Sequence, residues 1–175
     1  MNSKSYQVIL LLALCILLVG RQSWAEDFSA SFAKLKGLVG KWEGTAQWTG
    51  ARTDSYPMQA TYHLTAHGTV LVEDLGDNQE PSMTSVYHMD GTSLRITHYC
   101  GVGNQPRFKA TTLKADPLDV SFEMVDITNM PDPQGPHVSA VEIALEKEDQ
   151  ITLIFTFTKG ASVSTETIHL TRVHS

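Results

Sequence analysis

In Leu38-Val39-Gly40-Lys41-Trp42-Glu43-Gly44-Thr45-Ala46-Gln47-Trp48 the chain changes its period. Upstream, Phe28, Phe32, Leu35 and Leu38 recur at the spacing of one helical face, and Gly40 follows as a stop signal. Downstream, the pattern repeats every two residues, as on a strand with one face in a core. Ten runs that alternate, or are rich in β-branched and aromatic residues, occupy 41–48, 56–65, 69–75, 83–89, 92–100, 107–113, 119–126, 138–146, 151–158 and 162–173. Turn signals separate them, and no second helical pattern intervenes. The spacing predicts an all-β fold, a ten-stranded antiparallel up-and-down β-barrel with a short N-terminal helix, and not a βαβ array.

Ahead of this domain, residues 8–20 (VILLLALCILLVG) are an unbroken apolar run of 13, with Lys4 before it and Ser23-Trp24-Ala25 after it. Small residues at the third and first positions before a cut after Ala25 give the pattern of a secretory signal peptide. The expected organisation is a leader over 1–25 and a single domain over 26–175, secreted or periplasmic. No later segment approaches the ~20 apolar residues of a membrane helix, so no membrane span is predicted. The lipid-box-like Leu12-Ala13-Leu14-Cys15 does not suit an anchor, because the residue before a lipidated cysteine is small and Leu14 is not.

The full chain carries 13 Lys and Arg against 19 Asp and Glu, a net charge of −6; losing Lys4 and Arg21 with the leader takes it to −8. Such a chain repels phosphate backbones, which argues against nucleic acid as a partner. Cys100 remains as the one cysteine of the mature chain, so no intramolecular disulfide can form and the core must hold the fold.

The connections differ at the two ends of the expected barrel. Tight turns are read at His67-Gly68, Asp90-Gly91, Lys114 to Pro117 and Lys147 to Asp149, all on one rim. Longer or Gly- and Pro-rich links, 49–55, 76–82, 101–106 and 127–137, fall on the other, along with the short Lys159-Gly160-Ala161 link. One end is pinched and the other is a mouth. The segment 130–136, with Pro131, Pro133 and Pro136, reads as a stiff cover on that rim.

Gly40-Lys41-Trp42 after a short helix, together with Arg172 in Ile168-His169-Leu170-Thr171-Arg172-Val173, resembles the calycin barrels: lipocalins, fatty-acid-binding proteins and the ten-stranded nitrobindin-like haem proteins. The resemblance implies that Trp42 and Arg172 form the structural closure of one end, a guanidinium lying on an indole face while it donates to nearby carbonyls. In a ring of ten strands the first and last are antiparallel neighbours, which puts both residues at the tight-turn end. The block Tyr99-Cys100-Gly101-Val102-Gly103-Asn104-Gln105-Pro106-Arg107 is similar to a segment of uncharacterised bacterial secreted domains of lipocalin-like type, which implies no reaction.

Parity assigns the interior. A two-residue Asp90-Gly91 turn predicts the pairs Met89 with Thr92, Tyr87 with Leu94, Ser85 with Ile96 and Met83 with His98. Leu94 and Ile96 then mark the inner face, which brings in Met83, Ser85, Tyr87, His98 and Cys100. Met58, Ala60, Tyr62 and Leu64, then Val120, Phe122 and Met124, then Ile151, Leu153, Phe155 and Phe157, also read as inward. This interior suits an apolar ligand with a polar handle, or simply a filled barrel.

His98 and Cys100, two apart on one face, could act as base and nucleophile or as metal ligands, but no third orienting acid is evident. A buried histidine beside an inert thiol is the plainer alternative. The nitrobindin-like relatives hold haem through a histidine near the C-terminus; here His169 lies on the face opposite Ile168, Leu170 and Arg172 and points outward. The haem ligand is therefore not carried over, and no cofactor is predicted, with His98 left as a substitute haem ligand from another strand. At the mouth, Asn104 and Gln105 offer amides and Arg107 an anion-binding guanidinium, with Arg52, Asn78 and His137 on neighbouring loops.

The expectation is an exported, monomeric binding protein for a small, mainly apolar molecule with a polar group. Its candidate ligand-binding residues are Met83, Tyr87, His98, Cys100, Asn104, Gln105 and Arg107. The alternatives are an enzyme or haem protein using His98 or Cys100, and an interaction scaffold that binds no small ligand.

Overall fold

The computed structural model describes residues 28–77 and 80–174. The expected leader lies outside the described residues, as does Asn78. A helix, α1 (Ser29–Lys36), precedes ten strands: β1 (Gly40–Gly50), β2 (Asp54–Thr65), β3 (Val70–Asp77), β4 (Glu80–Asp90), β5 (Ser93–Tyr99), β6 (Gln105–Ala115), β7 (Leu118–Thr128), β8 (His137–Lys147), β9 (Gln150–Lys159) and β10 (Ser162–Arg172). Each pairs antiparallel with its chain neighbours, and β1 pairs with β10, so the sheet closes into a barrel. All ten expected runs coincide with these strands.

The alternation in β1 shows how the sequence builds the wall. Trp42, Ala46 and Trp48 are buried, whereas Lys41, Glu43 and Gln47 face solvent. At Gly44, an added Cβ would lie 1.8 Å from the His169 carbonyl oxygen, so only glycine lets β1 approach β10 this closely. The interior is filled at mid-height by residues such as Leu94, Ile96, Val120, Ile143, Leu153 and Ile168, all essentially inaccessible to water.

Helix α1 closes one rim. Phe28, Phe32, Leu35 and Leu38 insert into the core, the Phe28 N–H donates to Thr92 O at 3.1 Å, and Lys36 Nζ donates to Gly68 O at 3.4 Å. Trp42 lies opposite Arg172 in the ladder, and the Arg172 guanidinium sits 4.3 Å from the Trp42 ring centroid. Arg172 also donates to Gly37 O at 2.8 Å, to Val39 O at 2.9 Å and to Asp149 Oδ1 at 3.0 Å. One side chain thereby ties the helix exit, the β8–β9 turn and the last strand together.

Three sequence expectations need correction. The β4–β5 pairs are Met89 with Leu94, Tyr87 with Ile96 and Ser85 with His98, so the two-residue turn is Gly91-Thr92 and not Asp90-Gly91. Gly91 has φ +60° at the first central position, the place a type II′ turn gives to glycine, whereas an Asp-Gly type I′ turn needs positive φ at both. The ladder moves by two residues, which preserves every face. The 76–82 link is not a long loop: β3 and β4 stay paired out to Asp77 and Glu80, with an irregularity after Leu75. Leu64 is 41% exposed, because Tyr62 already lies opposite Gly40, the first residue of β1, and Leu64 runs past that edge.

Candidate functional site

The rim opposite α1 holds a small cavity of about 190 Å³. Its apolar walls are Trp48 from β1, Met83 from β4, Val102 from the β5–β6 loop, Val138 from β8, and Phe155 and Phe157 from β9. Its polar lining is Arg52, Tyr56, Ser82, Cys100 and Glu166. The β1–β2 loop is pinned over β10, with the Ala51 N–H donating to Val163 O and the Arg52 N–H to Ser164 Oγ, both at 3.1 Å. That anchor sets Arg52 over the mouth. Its guanidinium lies 4.3 Å from the Trp48 ring centroid and is paired with Asp54 at 2.9 Å.

Glu166 is the unexpected member. It comes in from β10 two residues before Ile168, only 3% exposed, and accepts a short hydrogen bond from the Tyr56 hydroxyl. Tyr56 in turn accepts from Trp48 Nε1 at 3.1 Å, and Trp48 packs edge-on against Phe157 with centroids 5.6 Å apart. Burial pushes the Glu166 carboxyl above the usual carboxylate range despite the opposing hydrogen bond from Tyr56. Burial, reinforced by Glu166, likewise raises the Tyr56 phenol to about 12, so it stays a donor.

Phe155 forms the floor. It lines the cavity on one side and packs on His98 on the other, with ring centroids 5.3 Å apart. Beneath it lies a second polar cluster, fully enclosed. Glu73 of β3 accepts a short hydrogen bond from the Tyr87 hydroxyl, Ser85 Oγ is 3.5 Å from Glu73 Oε1, and Ser85 Oγ is 3.0 Å from His98 Nδ1. The Tyr62 hydroxyl lies close to Glu73 but makes no hydrogen bond of normal geometry, and His98 Nε2 has no hydrogen-bond partner among the described residues. Burial raises the Glu73 carboxyl to about 7, against the hydrogen bonds that favour its charge, and lowers the His98 imidazole to about 4.

The residues singled out from sequence therefore separate into three places. Met83 and Cys100 line the mouth cavity; Tyr87 and His98 belong to the enclosed cluster below it. Asn104, Gln105 and Arg107 do not face the cavity. The Asn104 amide donates to Pro136 O at 2.8 Å and staples the β5–β6 loop to the proline segment. Gln105 bonds to Gly103 O and Thr128 on the rim, and Arg107 is exposed on the outer wall in a two-pronged pair with Asp126. Both strand parity and charge account for this: Arg107 precedes the buried Phe108, so it must point out.

His98 and Cys100 share a face, but no hydrogen bond joins them among the described residues, and burial raises the Cys100 thiol instead of stabilising a thiolate. No group of three or more His, Cys, Asp or Glu side chains among the described residues is arranged to hold a metal ion. As the substitute haem ligand considered from sequence, His98 is covered by Phe155, and the cavity beyond it has the volume of about one aromatic ring. His169 points outward and meets Thr152 Oγ1 at 2.9 Å. No helix among the described residues is long and apolar enough to cross a membrane.

No family model and no curated protein matches the chain. Among solved structures it is similar to Rv2717c from M. tuberculosis, at 13% identity and a TM-score of 0.62, over 83% of this chain and 98% of that one. It is also similar to a protein of unknown function from the DUF3598 family of Nostoc punctiforme, at 15% identity and a TM-score of 0.56, over 79% of this chain. The present chain spans about half the length of the Nostoc protein, 48% of it. At these identities the likeness is one of fold.

Proposed function

We propose that this is an exported, calycin-like binding protein that takes a small, mainly apolar molecule with a polar group into the cavity at its open rim. The observation that carries the reading is the cavity itself: aromatic and aliphatic walls around a single buried acid, at the end of the barrel that α1 leaves uncovered. An apolar cavity of about 150 Å³ is known to accommodate benzene. At about 190 Å³ this one suits one ring or a short branched chain, with anything longer extending past Arg52 into solvent. Export is supported by the apolar run at residues 8–20.

Native mass spectrometry of the protein purified from its own source tests the reading directly. A small molecule that leaves on denaturation is the expected result. An unliganded mass, combined with no thermal shift on adding single-ring compounds, would remove it. The same spectrum is expected to show a mature chain that starts near Glu26.

A further inference from the structure

Resting on that reading, we infer that the polar end of the ligand is a cationic nitrogen, an ammonium seated between Glu166 and the aromatic walls of the mouth. Three observations carry this.

The first is the charge left over in the cavity. Glu166 is almost fully buried yet has no ion-pair partner among the described residues; its one well-formed hydrogen bond comes from Tyr56. Arg52, the cation of the lining, favours the Glu166 carboxylate through space but makes its contact ion pair with Asp54, at 2.9 Å. A buried acid without a contacting counterion is costly, and burial holds its carboxyl above the usual range despite Tyr56 and Arg52. A ligand that brings the missing positive charge recovers that cost.

The second is the character of the walls. Trp48, Tyr56, Phe155 and Phe157 present ring surfaces, and ring faces attract cations through their quadrupole. The third is that one of these faces already receives a cation: the Arg52 guanidinium rests 4.3 Å from the Trp48 ring centroid. Arg52 is half-exposed and reaches in from a loop, so its side chain can turn to solvent with Asp54 and yield that place to an ammonium. A ligand carboxylate has the opposite balance. It would gain Arg52 only by competing with Asp54, and it would face Glu166 at close range, a like-charge contact.

The test uses the full-length mature protein and three single-ring probes: benzylammonium, its neutral isostere benzyl alcohol, and benzoate, each titrated calorimetrically at neutral pH. The expected order is benzylammonium tighter than benzyl alcohol by roughly tenfold or more, the usual gain of a charge-assisted over a neutral hydrogen bond, with benzoate weakest. Glu166→Gln keeps the acceptor for Tyr56 and is expected to erase the ammonium advantage, so that benzylammonium and benzyl alcohol bind that variant alike. Benzoate binding best, or an ammonium advantage that survives Glu166→Gln, overturns the inference. Equal binding of the three overturns it and leaves the binding reading standing; no binding by any of them overturns both. If Glu166→Gln does not fold, the wild-type probe order alone decides, and Tyr56→Phe, which frees the carboxylate, is expected to keep the ammonium preference.

Discussion

At the scale of single residues, the enclosed cluster couples two titrations of opposite sign. The Glu73 carboxyl rises from 4.5 to about 7, so the folded state holds a proton that the unfolded chain releases across that window. Its contribution to stability is present at low pH and is lost as pH rises, by roughly 3 kcal/mol in all. The His98 imidazole falls from 6.5 to about 4, so the unfolded chain binds the extra proton and stability climbs with pH by a similar, roughly 3 kcal/mol, amount. Between pH 4.5 and 6.5 the two slopes offset each other. Urea unfolding across pH is therefore expected to give a steeper rise for Glu73→Gln than for wild type, and a fall for His98→Gln, each read as a difference from wild type. Profiles that run parallel for all three proteins would mean that neither group departs from its ordinary titration. The acids of both clusters were legible in principle. Glu73 stands between Leu71 and Leu75 on one strand face, and Glu166 continues the inward set Ile168 and Leu170. What hides them is the assumption that a polar residue on a strand faces water; a buried acid becomes reasonable only once Tyr87 and Tyr56, distant in sequence, are seen to donate to it.

At the scale of elements, the signals that the sequence carried most clearly were local and periodic. Strand positions, the helix and the Trp42–Arg172 pairing follow from alternation and from counting strands, because a closed even-numbered ring leaves the first and last as neighbours. The β4–β5 register lies two residues from the expected one because it depends on which turn type Gly91 serves, and both registers give the same faces. The mouth residues were harder, since Asn104 and Arg107 have outward or loop partners, Pro136 and Asp126, that no spacing rule predicts. The closure makes the sharpest element-scale claim. Arg172 donates to two carbonyls and a carboxylate while covering the Trp42 indole, and it is mostly buried there. Arg172→Ala leaves those carbonyls without donors, at an expected cost of about 2–3 kcal/mol. For a domain of this size that corresponds to a Tm lower by about 5–10 °C. Arg172→Lys is expected to recover only part, because a lysine places a point charge but cannot span the carbonyls of Gly37 and Val39 together. A Lys variant as stable as wild type would show that charge alone, and not the forked geometry, holds the end shut.

At the scale of the whole molecule, closing the sheet does the work that disulfides do in many exported domains. An open ten-stranded sheet would expose two edges, and the described part of the chain has a single free thiol and so cannot staple them. The seam that removes both edges is β1–β10, paired over nine positions from Trp42–Arg172 to Gly50–Ser164. In contrast, β5–β6 is joined at three positions, Arg95–Lys109 to Thr97–Arg107. Closure of the ring thus rests on the first seam, and there it depends on Gly44. A methyl at that position would sit 1.8 Å from the His169 carbonyl oxygen, inside backbone that cannot swing aside as a side chain would. Gly44→Ala must push β1 off β10 and break ladder bonds on both sides of the contact. Gly91→Ala is the matched control: the turn has open space around it, and the cost is that of an alanine held at positive φ, about 1–3 kcal/mol. Calorimetry is expected to show a far larger Tm loss for Gly44→Ala, with loss of amide-exchange protection at Thr45 and His169, which face each other across the seam. Equal losses for the two variants, with protection kept at both amides, would mean that β1 and β10 part without cost and that the core, not closure, holds the barrel.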